Sequence, residues 1–192
     1  DIDMMIRPST LEKTKLYRYL EDGASGLLIP HVSTVEKAKY IVDSIKFPPM
    51  GDRAFDGSGI DTKFQIKGGY EYTEYANKET FLVVQIETIE AVKAANEIAS
   101  VEGVDCLFIG TGDLGLRIKY FDFELNLKES IKRVAKAAKE HNKVWGKPVN
   151  NVEDIKLIYS QGALLIPYGN DLLILKNELE KMSNEIDSII NE

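Results

Sequence analysis

The 192-residue chain has a single cysteine, two histidines and one tryptophan, and its formal net charge is −7. One cysteine excludes an internal disulfide. Cys106 lies in an apolar run and reads as a small core residue in a reducing compartment, not as a nucleophile. Neither His31 nor His141 stands in a His-Glu-x-x-His or Ser-His-Asp arrangement, which leaves zinc proteolysis and serine-type hydrolysis unsupported. The acidic balance supplies no basic patch, so no nucleic-acid partner is expected. No apolar run approaches the roughly 20 residues of a membrane span, and no signal-peptide pattern opens the chain. A cytoplasmic protein with no membrane partner is therefore expected. No internal repeat of about 20–50 residues and no dividing linker is present.

What is present is ordinary globular make-up, 44% hydrophobic and 29% charged, enough for one domain over residues 1–192 and too little for two large ones. Strand-like apolar segments are expected at 2–6, 26–32, 81–86, 104–109, 143–149 and 163–168. Between them run stretches of helical period. Ser9 with Glu12, Ser33 with Glu36 and Asn126 with Glu129 have capping-box spacing. Ala91, Val92, Ala95, Ile98 and Ala99 mark one further helix. A long closing helix over about 171–191 carries Leu172, Leu175, Leu179, Met182, Ile186 and Ile190 on one face. Glycines and tyrosines between 54 and 78 suggest a long ordered loop with one polar helix.

This alternation gives an α/β class with a parallel sheet. Two architectures fit. A doubly wound sheet accommodates six strands as they stand, whereas an eight-stranded β/α barrel requires two further units before Asp1. The opening residues already read as a strand, so something upstream is expected to be missing.

Glu87 and Asp113 each follow a strand. In a parallel β/α fold the carboxyl ends of neighbouring strands share one face. Two carboxylates there suit a hard divalent cation, with positions left open for substrate and water. The alternative is that each caps a helix. Gly110-Thr111-Gly112-Asp113 can turn backbone N–H groups toward an anion, or be a plain strand-to-helix turn. It lacks the Lys-Ser/Thr of a P-loop and the third glycine of a dinucleotide fingerprint, so ATP and NAD are poor candidates. Arg7, at a strand end beside Pro8, can bind a carboxylate or stabilise an oxyanion, or form a salt bridge at the rim. Arg53 has the same two readings, with the structural one favoured.

Taken in order, Ile6-Arg7-Pro8-Ser9, Gly23-Ala24 through Leu28-Ile29-Pro30, Phe47-Pro48-Pro49-Met50-Gly51-Asp52-Arg53, Gln85-Ile86-Glu87-Thr88, and Val101 through Leu114 resemble the HpcH/HpaI aldolase and citrate lyase family. Within it they are most similar to the class II pyruvate-dependent aldolases. The resemblance implies a (β/α)8 TIM barrel of the phosphoenolpyruvate/pyruvate type with its first two β/α units missing from this chain. It implies that Glu87 and Asp113 ligate a divalent metal, Mg²⁺ or Mn²⁺, with Co²⁺ a further option. Gln85 and the backbone at Gly112 and Asp113 are then expected to hold a small 2-oxo acid, with Arg7 stabilising the transition state. Glu21 stands where the family has an acid that raises the basicity of the catalytic histidine. That histidine, the general base, is expected upstream of Asp1. His31 is on a different strand and is not given the role.

The implied activity is aldol cleavage or condensation of a 4-hydroxy-2-oxo acid, giving pyruvate or a related 2-oxo acid plus an aldehyde. A citrate-lyase or malyl-CoA-type acyl-CoA lyase is the alternative, opposed by Gln85 and by the missing lysine after Pro30. A non-catalytic small-acid-binding relative is kept open by Thr111-Gly112, which replaces the family's usual Pro-Ala. Other departures are Gly115 for serine, Ala54 for glycine, Glu21 for aspartate, and His31 for an apolar residue. A homo-oligomer is expected, with the closing helix packed on its own barrel or exchanged with a neighbour.

Overall fold

The computed structural model describes residues 2–190. Its sheet consists of β1 (Met5–Ile6), β2 (Gly26–Ile29), β3 (Phe81–Ile86), β4 (Cys106–Ile109) and β5 (Val144–Gly146), all parallel and adjacent in chain order. Helices fill every connection: α1 (Lys13–Glu21), then α2 (Val35–Ile45) and α3 (Gly69–Glu79), then α4 (Ile89–Lys93) and α5 (Ala95–Ala99), then α6 (Thr111–Tyr120) and α7 (Leu127–Glu140). After β5 come α8 (Val152–Ser160) and α9 (Asp171–Ile190). Each new strand joins the same edge, so the strand order never reverses as it does in a doubly wound sheet. The sheet is an arc of a β/α barrel.

Strand alternation sorts the apolar residues into two layers. Leu27, Ile29, Leu82, Val84, Ile86, Leu107, Ile109 and Trp145 face the helices and form the main core with them. Leu28, Val83, Cys106 and Phe108 pack on the other face, joined by Met5, Phe81, Val144 and Leu165. That second face is the barrel interior. Cys106 is buried there, as expected of a core thiol.

Several local expectations change. The expected strand at 163–168 reduces to two bridges, Gly146 with Leu165 and Val149 with Tyr168. Pro148 and Pro167 each remove an N–H from that ladder. Close approach survives at Gly146, where an added Cβ would lie 1.8 Å from the Leu165 carbonyl oxygen. Helix α1 is capped by Glu12, which accepts from the Thr14 N–H, and not by Ser9. Helix α2 is capped by Thr34, not Ser33, whose hydroxyl lies 3.0 Å from Thr88 Oγ1 instead. The Asn126–Glu129 box forms in both directions. The single helix expected around Ala91–Ala99 breaks at Ala94 into two. The polar helix in the long loop is α3. Helix α9 is present but buries none of its residues.

Candidate active site at the carboxyl ends of the strands

Arg7, Gln85 and Glu87 continue the inward-facing series of Met5 and Val83, so the pleat delivers all three to the interior at the carboxyl ends of β1 and β3. The Nε of Arg7 donates to Gln85 Oε1 at 3.2 Å, and the Gln85 amide donates to Glu87 Oε2 at 2.6 Å. The other oxygen of Glu87 accepts the backbone N–H of His31 at 2.8 Å. The Glu87 side chain is 0% exposed, and among the described residues the ionisable group within ion-pair distance is His31, whose Nδ1 lies 3.4 Å from Oε1. Neutral donors therefore orient this buried carboxylate and leave it lone pairs to offer. It does not cap α4; Thr88 does, accepting from the Ala91 N–H.

Gly110 is the residue that permits this packing. A Cβ there would lie 2.6 Å from Gln85 Nε2 and 2.7 Å from both Glu87 Cβ and Oε2. Immediately after it, α6 begins, and its first backbone bond runs from Leu114 N–H to the Gly110 carbonyl. The N–H groups of Thr111, Gly112 and Asp113 thus precede the intrahelical ladder and form the positive end of the helix. A Cβ on Gly112 would meet nothing within 4 Å, so the backbone here borders open space.

Asp113 sits in the first turn of α6. Its half-exposed carboxylate pairs with Arg117, one turn on, Nη1 to Oδ1 at 3.3 Å. The structure joins Arg7, Gln85 and Glu87 in one hydrogen-bonded chain, and it gives Asp113 a separate partner. Among the described residues, no group of three or more His, Cys, Asp or Glu is arranged to hold a metal ion. A buried carboxylate with no Lys or Arg within ion-pair distance among the described residues, packed against an open backbone turn, does fit a hard cation that keeps positions for substrate and water.

A family model for the HpcH/HpaI aldolase/citrate lyase matches residues 1–177. The chain belongs to this family. It is 29% identical over 182 residues to the 5-keto-4-deoxy-D-glucarate aldolase of Shigella boydii serotype 18, covering 94% of this chain and 70% of that protein. It is 38% identical over 116 residues to the hydroxypyruvate/pyruvate aldolase of Sagittula stellata, covering 60% of this chain and 45% of that protein. The HpcH/HpaI aldolase structure from Desulfitobacterium hafniense DCB-2 superimposes with a TM-score of 0.89 at 26% identity, over 96% of this chain and 72% of that one.

The family resemblance also singled out Glu21, and the structure does not bring it to the others. Helix α1 runs antiparallel to the strands and returns the chain to their amino ends, so Glu21, at its last turn, lies at the opposite edge of the sheet from Arg7. It is buried there near Arg18, with Arg18 Nη1 3.4 Å from Oε2. Burial pushes its carboxyl above the ordinary range, against the pull of Arg53 and Arg18. Its Oε1 has no hydrogen-bond partner in the described structure, nor does the Nε of neighbouring Arg53. Arg53 itself pairs with Asp61 at 2.9 Å and lies 4.4 Å from the Phe47 ring centroid, the structural reading of that arginine.

Position after a buried strand already allowed His31 to face the same end of the sheet as Arg7 and Glu87, but residue reading missed its backbone role and the contact of Lys37. The backbone role of His31 depends on a positive φ of 54° that no pattern of residue types announces. Lys37, in the first turn of α2, donates to the His31 carbonyl oxygen at 2.7 Å. Its position in a first helical turn gave no sign of that contact.

Proposed function

We propose that this chain is a divalent-metal-dependent aldolase, which cleaves or forms a 4-hydroxy-2-oxo acid and gives pyruvate, or a related 2-oxo acid, plus an aldehyde. The observation that carries the reading is the buried Glu87 carboxylate, oriented by Gln85 and His31 and, among the described residues, with no Lys or Arg within ion-pair distance. The aldolase names of the relatives support the same reaction class. Glu87 and Asp113 would hold the cation, Mg²⁺ or Mn²⁺. When bound, such an ion supplies Lewis-acid stabilisation of negative charge on the keto oxygen of a 2-oxo acid.

The remaining work falls to the chain's own groups. The N–H groups of Gly112 and Asp113, at the positive end of α6, bind the substrate carboxylate. Gln85, fixed at both ends of its amide, orients the 2-oxo acid. Arg7 places its charge where the oxyanion develops as the carbon–carbon bond breaks. The hydroxyl proton must pass to a base within hydrogen-bond reach of it. We read that base as lying outside the residues assigned here.

We further read the protein as a homo-oligomer. Helix α9 leaves Leu172, Leu175, Leu179 and Met182 exposed, an apolar face that a second subunit would cover. No helix among the described residues is long and apolar enough to cross a membrane.

The test is turnover by the full chain supplied with Mg²⁺ or Mn²⁺. Release of pyruvate from a 4-hydroxy-2-oxo acid is expected, with loss of the reaction on chelation. Turnover of acyl-CoA thioesters alone would overturn the reading in favour of the lyase branch.

A further inference from the structure

His31 follows β2 with φ of 54°, in the left-handed region that a residue bearing a Cβ rarely adopts. Such a conformation persists when the surroundings hold it in place. Two hydrogen bonds do so here, one at each end of the residue. The N–H donates to Glu87 Oε1 at 2.8 Å, and the carbonyl oxygen accepts from Lys37 Nζ at 2.7 Å. The Ser33 hydroxyl adds a longer contact to the same carbonyl at 3.5 Å and ties the loop to Thr88 at 3.0 Å.

Lys37 is an unusual residue for its position. It lies in the first turn of α2, behind the Thr34 cap, where the helix dipole disfavours a cation. Burial pushes its amine below the ordinary lysine range, with the Glu87 charge acting in the other direction. Helix propensity and surface charge pairing give no reason for a half-buried ammonium group there. The carbonyl of the strained residue beside Glu87 gives one.

We propose that Lys37 is a positioning residue for the Glu87 carboxylate, acting through the backbone of His31. The ammonium group fixes the His31 carbonyl, the peptide stays in its left-handed turn, and the His31 N–H stays aimed at Glu87 Oε1. The proposal rests on the reading of Glu87 as a metal-binding carboxylate, and outer groups that orient a ligand typically tune affinity by about 10–100-fold.

The experiment is Mn²⁺ titration calorimetry of the full chain and of K37M, H31G, the K37M/H31G double variant and E87A, with metal-free melting temperatures as a check on folding. If K37M does not fold, K37Q takes its place in both backgrounds. K37M is expected to lose about tenfold in Mn²⁺ affinity, while H31G keeps the N–H, adopts the left-handed turn freely and supplies a background in which that turn needs no support. In the H31G background the K37M change is expected to lose much less. An equal loss in both backgrounds would overturn the proposal, since Lys37 would then act by its charge alone. No loss in K37M, with binding abolished in E87A, would also overturn it and leave the reading of Glu87 intact. Native affinity in E87A would remove that reading and the proposal together.

Discussion

Gln85 and Glu87, two residues apart at the end of β3, meet side chain to side chain, the amide donating to the carboxylate at 2.6 Å. A strand's two-residue period puts both on the barrel interior, and the other end of the amide accepts from Arg7, just after β1. The amide can satisfy both neighbours only with its nitrogen toward Glu87 and its oxygen toward Arg7. This polarity keeps the guanidinium and the carboxylate apart and prevents a direct ion pair from neutralising Glu87.

Glu87→Ala is expected to abolish Mg²⁺ or Mn²⁺ binding in the full chain. Calorimetry reads this directly, and unchanged affinity would remove the site as drawn. Glu87→Gln keeps the shape and one acceptor oxygen, so it should fold normally while binding the ion far more weakly.

The two glycines of the turn should respond oppositely to alanine. Gly110→Ala puts a Cβ within 2.7 Å of Gln85 and Glu87, an overpacking expected to cost about 1–3 kcal/mol and to displace the carboxylate. Gly112→Ala meets open space inside a helix and should hold or slightly raise stability, since alanine is the better helix former. Thermal melts and metal titration of both variants check the contrast. Equal behaviour would contradict the close approach at Gly110.

Arg7→Ala is expected to reduce kcat for pyruvate release by about 10²–10³-fold, the usual consequence of losing one oxyanion donor. Metal affinity should change little, because Glu87 keeps its bonds to His31 and to Gln85. A large rise in KM with kcat intact would instead make Arg7 a ground-state binding residue.

Glu21 predicts a pH dependence of stability. Burial raises its folded-state pKa above the ordinary 4.5, so the folded chain holds the proton more tightly than the unfolded one. The associated stability is present in full below the ordinary value and is lost as pH rises through the raised one. Glu21→Gln stays neutral throughout, so it should melt higher than the native chain at pH 7 to 8, with the difference vanishing near pH 4. A variant that melts lower at neutral pH would mean that the attraction of Arg18 and Arg53 outweighs burial.

Cys106 should be inert in the folded protein. Burial, with the neighbouring Asp105 charge, pushes its thiol up to about 12, and thiolate is the reactive form. A thiol reagent at pH 8 is expected to titrate no group until denaturant is added.

Much of the fold was legible in the residues. The run Phe81–Ile86 is a strand with the bounds its apolar pattern implies, and the Asn126–Glu129 spacing forms its capping box. Elements failed where side-chain chemistry offered near-equivalent choices. Ser33 and Thr34 are both competent caps, and which one serves depends on Thr88 drawing the Ser33 hydroxyl away. The strand expected at 163–168 has the right apolar content, but Pro167 and, on the facing segment, Pro148 cannot donate to a ladder.

For the site, the candidates were already visible in the residue pattern: Arg7, Gln85 and Glu87 each stand at a strand end, and the spacing of Gln85 and Glu87 puts them on one face. The tertiary structure decided which candidates meet. Parallel strands with helical returns send strand ends and helix ends to opposite edges, which gathers Arg7 with Gln85 and Glu87 and carries Glu21 away. It also decided the conformation of His31 and the reach of Lys37, because a left-handed turn held by contacts 56 and 6 residues distant in the chain leaves no local pattern to read.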